Sequence, residues 1–198
     1  MADETHSGRP SPESRRQQIL DAACERVRQS GFHGASMADI AKAAGLSVGQ
    51  IYRYFENKEA IIAAIVAQDL AEMRDKFAEM ESQPGTLRDA IDDHLPEAID
   101  KCFDARRAAL ALEVVAEAAR NPKVAAIVRS ADQQERALAL MMMARDRKPE
   151  WSESEFQARC ETIGLIFDGL LMRGVNNPDL DREALTAVLR STVRHLLS

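Results

Sequence analysis

Cysteine is scarce in this sequence of 198 residues. Cys24, Cys102 and Cys160 lie far apart, and no Cys-x-x-Cys pair occurs. An odd number of cysteines at these spacings argues against a disulfide framework and against a zinc site. The four histidines are scattered as well. We therefore predict no metal site and no cofactor, and we interpret the cysteines as buried free thiols.

Long apolar runs and β-branched runs are also missing. No apolar stretch reaches the roughly 18 residues that a membrane span needs, and the polar N-terminus lacks the apolar centre of a signal peptide. We therefore predict a cytoplasmic protein with no membrane partner. Alanine and leucine are abundant, which favours helix nearly everywhere. The prediction is an all-α fold of about nine helices.

The chain has fewer positive than negative side chains, and this deficit is unevenly distributed along the sequence. The net charge of −6 argues at first against a nucleic-acid partner. However, residues 1–58 carry 8 Lys and Arg against 7 Asp and Glu, whereas the remainder has a net charge of −7. The acidity therefore belongs to the C-terminal part. A basic surface near the N-terminus is compatible with this distribution, although charge alone does not show one.

Apolar spacing and helix breakers predict the helices. The first runs over residues 14–30, where apolar residues recur every three or four positions, and ends at Gly31. A long helix begins at Lys58 and extends to about Met80. Breaks near residues 83–86, 104, 121–122, 148–151 and 176–179 divide the rest into about five more helices. Pro96 lies inside one of these and should kink or split it.

Between these helices, two short ones flank a glycine-containing turn. Ser36 opens "MADIAKAAG" and Ser47 opens "VGQIYRYF", and each serine is followed three residues later by Asp39 or Gln50, as in a capping box. Two short helices joined in this way are typical of a helix-turn-helix, whose second helix enters the major groove of DNA. Ile51 is among the apolar residues that would close its small core.

Both tyrosines of the chain lie in the second of these helices. A buried tyrosine must satisfy its hydroxyl, so Tyr52 and Tyr54 fit a phosphate-binding surface better than a core. Gln50 can contact adenine, and Arg53 can reach guanine or phosphate. We interpret Phe55 as a core residue and Val48 as either a packing residue or a DNA contact. The predicted DNA contacts are Ser36, Ser47, Val48, Gly49, Gln50, Tyr52, Arg53, Tyr54 and Lys58.

The stretch "GFHGASMADIAKAAGLSVGQIYRYFENKEAI" resembles the DNA-binding part of the TetR family of transcriptional regulators. The resemblance covers residues 14–62 and implies a homodimer, a pseudo-palindromic double-stranded operator and DNA release by a small-molecule effector. By position, the family's DNA contacts correspond to all of the predicted contact residues except Val48 and Arg53. Arg53 lies at a position that varies within the family. The implied organisation is a disordered lead (1–13), a helix-turn-helix domain (14–60) and a ligand-binding and dimerisation domain (61–198). The segment "LIFDGLLMRG" is similar to the BetI-like branch.

The last two helices are predicted to form the dimer interface. An apolar stripe along the terminal helix needs a cover, and glycines of the preceding helix, Gly164 and Gly169, would let another helix approach. In the resembled family, these two helices form a four-helix bundle with their symmetry mates. The predicted interface residues are Gly164, Leu171, Leu185, Val188, Leu189, Thr192 and Leu196.

The effector pocket is predicted from apolar and aromatic residues of several helices. The Met141–Met143 run reads as core, with a flexible pocket lining as the alternative. Asp168, inside an apolar run, is interpreted as an interface ion pair or a buried hydrogen bond, with a pocket acid as the alternative. Glu113 and Glu117 are interpreted as part of a solvent-exposed helix face. The predicted pocket residues are Met73, Phe103, Leu110, Met142 and Phe167.

Two other functions compete with a ligand-responsive repressor. An all-α enzyme would need a paired Glu-x-x-His motif or a nucleophile with its base, and no such constellation is visible. An adaptor that kept the helix-turn-helix only as a scaffold would not need the intact set of Tyr52, Tyr54 and Lys58. The sequence therefore favours a DNA-binding regulator without enzymatic activity.

Overall fold

A computed structural model of the chain describes residues 11–198. Within this range there are nine α-helices, one 3₁₀ turn and no strand, which confirms the predicted all-α fold. The helices are α1 (Pro12–Gly34), α2 (Met37–Ala43), α3 (Val48–Ile51), α4 (Lys58–Ser82), α5 (Leu87–Cys102), α6 (Ala105–Ala118), α7 (Pro122–Met143), α8 (Glu153–Asn176) and α9 (Arg182–Leu196), with the 3₁₀ turn at Ala144–Asp146.

The chain divides into two compact units, the first ending at Ile65 and the second beginning at Val66. We call the described part of the first unit the head (residues 11–65) and the second the C-terminal unit (residues 66–198). Helix α4 contributes residues to both.

The first helix begins earlier than the predicted residue 14. Ser11 caps it by accepting a hydrogen bond from the backbone N–H of Ser14 at 3.0 Å, and Pro12 occupies the first turn, where its missing N–H costs nothing. Most of the predicted disordered lead lies outside the described residues, but Pro12 and Glu13 are helical and so do not belong to it. Gly31 interrupts the helix as predicted, with a φ of 68° that favours glycine.

The C-terminal unit has two apolar clusters. One is built around Met142, Met143, Trp151 and Phe156, and the other around Leu95, Ile99, Phe103, Leu170 and Leu189. The methionines at 142 and 143 are buried, whereas Met141 is exposed, because consecutive helical residues point in different directions. Among the free cysteines, Cys160 is buried and the other two are partly exposed.

Pro96 does not split its helix, and the C-terminal helix supplies a donor to the carbonyl that the proline leaves without its helical partner. A proline removes the hydrogen bond to the carbonyl four residues earlier, which here belongs to Asp92. Arg190 of α9 donates to that carbonyl oxygen at 3.4 Å, and its neighbour Arg194 pairs with the Asp92 carboxylate. Helix α5 therefore runs unbroken from Leu87 to Cys102.

Close helix packing in this unit depends on Gly174, a glycine that was not singled out from the sequence. A Cβ at Gly174 would lie 2.6 Å from the Cys102 carbonyl oxygen and 3.0 Å from the Phe103 Cα. At Gly164 and Gly169, in contrast, a Cβ would meet nothing within 4 Å. The helix approach predicted at Gly164 and Gly169 concerned the dimer interface and stays a prediction, whereas within the chain the close contact is at Gly174.

Candidate nucleic-acid interface and internal cavity

The helix-turn-helix is held by hydrogen bonds that are local in the sequence. Ser36 and Asp39 form the predicted capping box of α2, and the hydrogen bonds from Ser36 lower the pKa of the Asp39 carboxyl. Ser47 and Gln50 form the predicted capping box of α3. Gly45 turns the chain between the two helices with a φ of 65°. Helix α3 thus has a defined start although it has only four residues.

Below α3, buried side chains form a rigid base. Ile51 and Phe55 are almost completely buried, as predicted for core residues. The Arg16 guanidinium lies 4.2 Å from the centre of the Phe55 ring and donates to the carbonyl oxygen of Tyr54 at 3.2 Å. Helix α1 therefore clamps the turn that follows α3.

The surface of this segment carries most of the predicted DNA contacts. Tyr52 is 51% exposed, and Tyr54 is half-buried. The exposed residues among the predicted contacts are Ser36, Ser47, Val48, Gly49, Gln50, Tyr52 and Arg53. A Cβ at Gly49 would meet nothing within 4 Å, so this side of α3 is open to a partner.

Two of these residues already have contacts within the chain. The Gln50 amide oxygen accepts from the Ser47 backbone N–H at 2.9 Å, so a bidentate contact to adenine would use the second lone pair of that oxygen. The Lys58 ammonium donates to the Phe32 carbonyl oxygen at 2.9 Å and lies 4.6 Å from the centre of the Phe32 ring. Lys58 therefore ties α4 to the end of α1, and an ammonium has two further N–H donors.

In the C-terminal unit, helices α4, α5, α7, α8 and α9 line a partly open cavity of about 580 Å³, a volume in the range of small-molecule sites. Met73, Met142 and Phe167, three of the five predicted pocket residues, line it. Phe103 instead packs in the second apolar cluster, and Leu110 lies half-buried on α6 outside the cavity. The apolar character of these five residues did not by itself distinguish residues of the core from residues that line the cavity.

Acidic residues at the cavity were largely missed from the sequence. Burial raises the pKa of the Glu135 carboxyl, and the charge of Asp132 raises it further. Partial desolvation also raises the pKa of Asp168. Asp168 is an exposed residue that lines the cavity and forms no salt bridge within residues 11–198. Its interpretation as an interface ion pair with a second copy stays a prediction beside that of a pocket acid. The sequence of α7 could have indicated these acids, because Asp132 and Glu135 lie on the same helical face as the apolar Ala139 and Met142.

The apolar residues predicted to form the dimer interface are only partly available to a second copy of the chain. Leu189 is buried within its own chain, and Leu185 and Leu196 pack against the two apolar clusters, because α9 first covers α5 and α8. Of the other predicted interface residues, Gly164 lines the cavity, while Leu171 and Thr192 are half-buried. The large apolar residues that remain exposed on α8 and α9 are Leu165, Met172, Val175 and Val188.

Glu117 is not on a solvated face, contrary to the sequence interpretation. It is 4% exposed, accepts from Arg120 at 2.7 Å, and also accepts from the Asn121 amide at 3.2 Å. These hydrogen bonds compensate the burial of its charge at the end of α6. Its role is therefore to stabilise the turn into α7.

Within residues 11–198, no helix is long and apolar enough to cross a membrane, and no group of three His, Cys, Asp or Glu side chains is placed to hold a metal ion.

Comparisons with known proteins identify both parts of the chain. Residues 19–65 match the bacterial regulatory proteins of the tetR family, and residues 85–198 match the C-terminal part of BetI-type transcriptional repressors. The chain is 36% identical over 115 residues to the HTH-type transcriptional regulator UidR of Escherichia coli (strain K12), covering 58% of this chain and 57% of the relative. The chain thus spans little more than half the length of that relative.

Solved structures share the fold over nearly the whole chain. Salmonella enterica GusR is 25% identical, with a TM-score of 0.76, covering 95% of this chain and 97% of that one. The regulator FadR from Bacillus subtilis, solved in complex with stearoyl-CoA, is 21% identical, with a TM-score of 0.73, covering 92% and 97%. The matches confirm the interpretation as a regulator rather than an enzyme. The chain belongs to the TetR family of bacterial transcriptional regulators, and its C-terminal part is of the BetI type.

Proposed function

We propose that this chain is a cytoplasmic repressor that binds operator DNA as a homodimer and is released by a small-molecule effector. The observation that carries the proposal is the construction of α3. Helix α3 and the turn after it expose Gln50 and Tyr52 on one side, while Ile51 and Phe55 anchor the other side in the head core. A short helix that is capped, anchored and lined outside with hydrogen-bonding side chains is suited to the major groove.

The predicted contacts divide into two roles. Tyr52, Tyr54 and Lys58 bind phosphates and set the position of α3, because a single hydroxyl or ammonium donor carries no base information. Ser36 and Ser47 add phosphate contacts at helix N-termini. The base-reading residues are Gln50 and Arg53, with Gly49 and Val48 allowing close approach.

The proposed homodimer uses the outward faces of α8 and α9. Leu165, Met172, Val175 and Val188 are exposed on these helices, and a two-fold interface would bury them against the same residues of a second copy. Two heads related by a two-fold axis would read a pseudo-palindromic operator. This surface replaces the predicted interface residues that pack within their own chain.

The proposed effector occupies the cavity of the C-terminal unit. Helix α4 lines that cavity with Met73, Phe77 and Met80 and carries Lys58 at its first residue. An effector that prefers a different position of α4 would alter the spacing of the two heads and weaken binding to two half-sites. The stearoyl-CoA of the FadR complex supports an effector with a long apolar chain, and only this part of that ligand is carried over to the proposal.

Selection of bound fragments from genomic DNA by the purified full-length chain tests the proposal. We expect enrichment of one inverted repeat, whose binding weakens steeply with salt. Tyr52→Phe should weaken binding to operator and random DNA about equally, because it removes one phosphate donor. Met141→Leu, an exposed substitution on α7, serves as the control and should bind like the parent chain.

Failure to enrich any common sequence would contradict the proposal. Lys58→Ala requires a stability measurement beside the binding assay, because Lys58 also holds the Phe32 carbonyl. The assignment of roles would be wrong if Tyr52→Phe changed base preference without lowering overall affinity.

A further inference from the structure

The cavity has an acidic end and an apolar end. The Arg136–Glu161 salt bridge, 2.8 Å long, joins α7 to α8 and sets their register. From this pair, Asp132 and Asp168 extend in one direction, while Met143 and Cys160 extend in the other. At 1.5 Å of rise per residue, Asp132 and Met143 are about 16 Å apart along α7.

At the acidic end, three carboxylates lack a cation. Asp132, Glu135 and Asp168 line the cavity, and none of them forms a salt bridge within residues 11–198. They come from two helices and lie close enough that the charge of Asp132 acts on both of the others. Burial raises the pKa of Glu135 and that of Asp168, and neighbouring carboxylates raise both further, while the charge of Arg107 offsets only part of this at Glu135.

The positive groups near this end are already engaged. The cavity lining has five carboxylates and three Lys or Arg side chains, and each of the three cations is paired with an acid of the same lining. Arg107, whose charge reaches Glu135, is held by two other acids outside the lining. These pairs are Lys76–Glu97 (2.7 Å), Lys101–Glu97 (3.5 Å), Arg136–Glu161 (2.8 Å), Arg107–Asp69 (2.8 Å) and Arg107–Glu72 (3.1 Å).

The opposite end accepts an apolar body. Met80, Met142 and Met143 meet there with Phe77 and Val193. Methionine side chains are flexible and polarizable, so this end can adapt to apolar groups of different shape. A ligand that fits both ends therefore carries a positive charge at one end and an apolar chain or ring system at the other.

We propose that the cavity selects an amphipathic organic cation, with its charged group against Asp132, Glu135 and Asp168 and its apolar part among the methionines. The inference rests on the proposed function, since it names the chemical class of the effector. A carboxylate or phosphate at the acidic end would meet three like charges, which disfavours an anionic amphiphile.

Three probes with the same chain and different charge test this in the full-length protein: decyltrimethylammonium and decanoate below their micelle concentrations, and decanol below its solubility limit. Isothermal titration calorimetry measures their affinities. We expect the cation to bind about tenfold or more tightly than decanol, and decanoate to bind more weakly than decanol.

The carboxylates are tested by the double variant Glu135→Gln and Asp168→Asn. It should remove most of the cation's advantage and leave the affinity for decanol unchanged, because only charge is lost. Glu81→Gln, on an exposed residue of α4 outside the cavity, is the matched control for a neutralised carboxylate and should behave like the parent chain. Thermal melts of each variant verify folding.

Several outcomes overturn the inference. Equal affinities for the three probes, a preference for decanoate, or no binding of any probe would each do so, as would a cation preference that survives in the double variant. Binding of the selected operator, measured on the same preparation without probes, separates the two proposals. If operator binding is retained while the cation preference is absent, the inference fails and the proposed function stands.

Discussion

The head and the C-terminal unit place their polar side chains in opposite ways. In the head, Gln50 and Tyr52 lie outside a small apolar core, and hydrogen bonds between residues three apart hold α3. In the C-terminal unit, Asp132 and Asp168 face a cavity from two helices. A surface for a large partner is thus assembled from neighbours in the chain, whereas a pocket for a small one is assembled across it.

Breaking the dimer should have the largest effect, because the head would then act alone. Val188→Asp places a charge where the proposed interface is apolar, and we expect monomers and operator binding weakened about a hundredfold or more. Sedimentation and binding to the selected operator measure both. Val115→Asp is the matched control, since Val115 on α6 is 58% exposed and Val188 is 62% exposed. Persistence of the dimer in Val188→Asp would refute this interface.

Close packing in the C-terminal unit can be probed with one methyl group. Gly174→Ala should lower the free energy of unfolding by about 1–3 kcal/mol, because its Cβ would clash with the Cys102 carbonyl. Gly164→Ala adds the same group to the same helix in open space and should leave stability equal or slightly higher. Urea unfolding measures both. Equal losses would show that helix propensity, not the contact at Gly174, dominates.

The local architecture of the head can be sharpened at Gln50. Gln50→Ala should reduce discrimination at one base position by about fivefold to tenfold, which is about 1 kcal/mol. It also removes one hydrogen bond of the α3 capping box. Asp39→Ala removes the corresponding bond of α2 and should reduce stability without changing base preference. Binding of each protein variant to single-base variants of the operator measures base preference. If Gln50→Ala and Asp39→Ala changed base preference equally, this would count against base reading by Gln50.

The smallest expected effect concerns pH. Because the folded chain raises the pKa of Glu135 and Asp168, it binds more protons than the unfolded chain, and these groups make the free energy of unfolding fall as pH rises. The double variant Glu135→Gln and Asp168→Asn should therefore have a slightly higher Tm than the parent chain at pH 7. Near pH 4 the difference should vanish. A variant less stable than the parent at pH 7 would contradict this.

The sequence alone sufficed for the helical class, for the helix breaks other than the one expected at Pro96, and for the helix-turn-helix. Serine followed three residues later by Asp39 or Gln50 specifies a helix start through neighbouring atoms, so both capping boxes could be predicted. The burial of Ile51 and Phe55 followed from the same short motif. In such segments, the deciding interactions lie within a few residues of one another.

The tertiary structure decided which apolar residues are core, lining or surface. Phe103, Leu189 and Met142 are alike in the sequence, yet the first two pack in the second apolar cluster while Met142 lines the cavity. Only packing determines this, because each helix buries the face that its neighbours leave available. The same holds for Arg190, which reaches the carbonyl left unpaired by Pro96 from 98 residues along the chain.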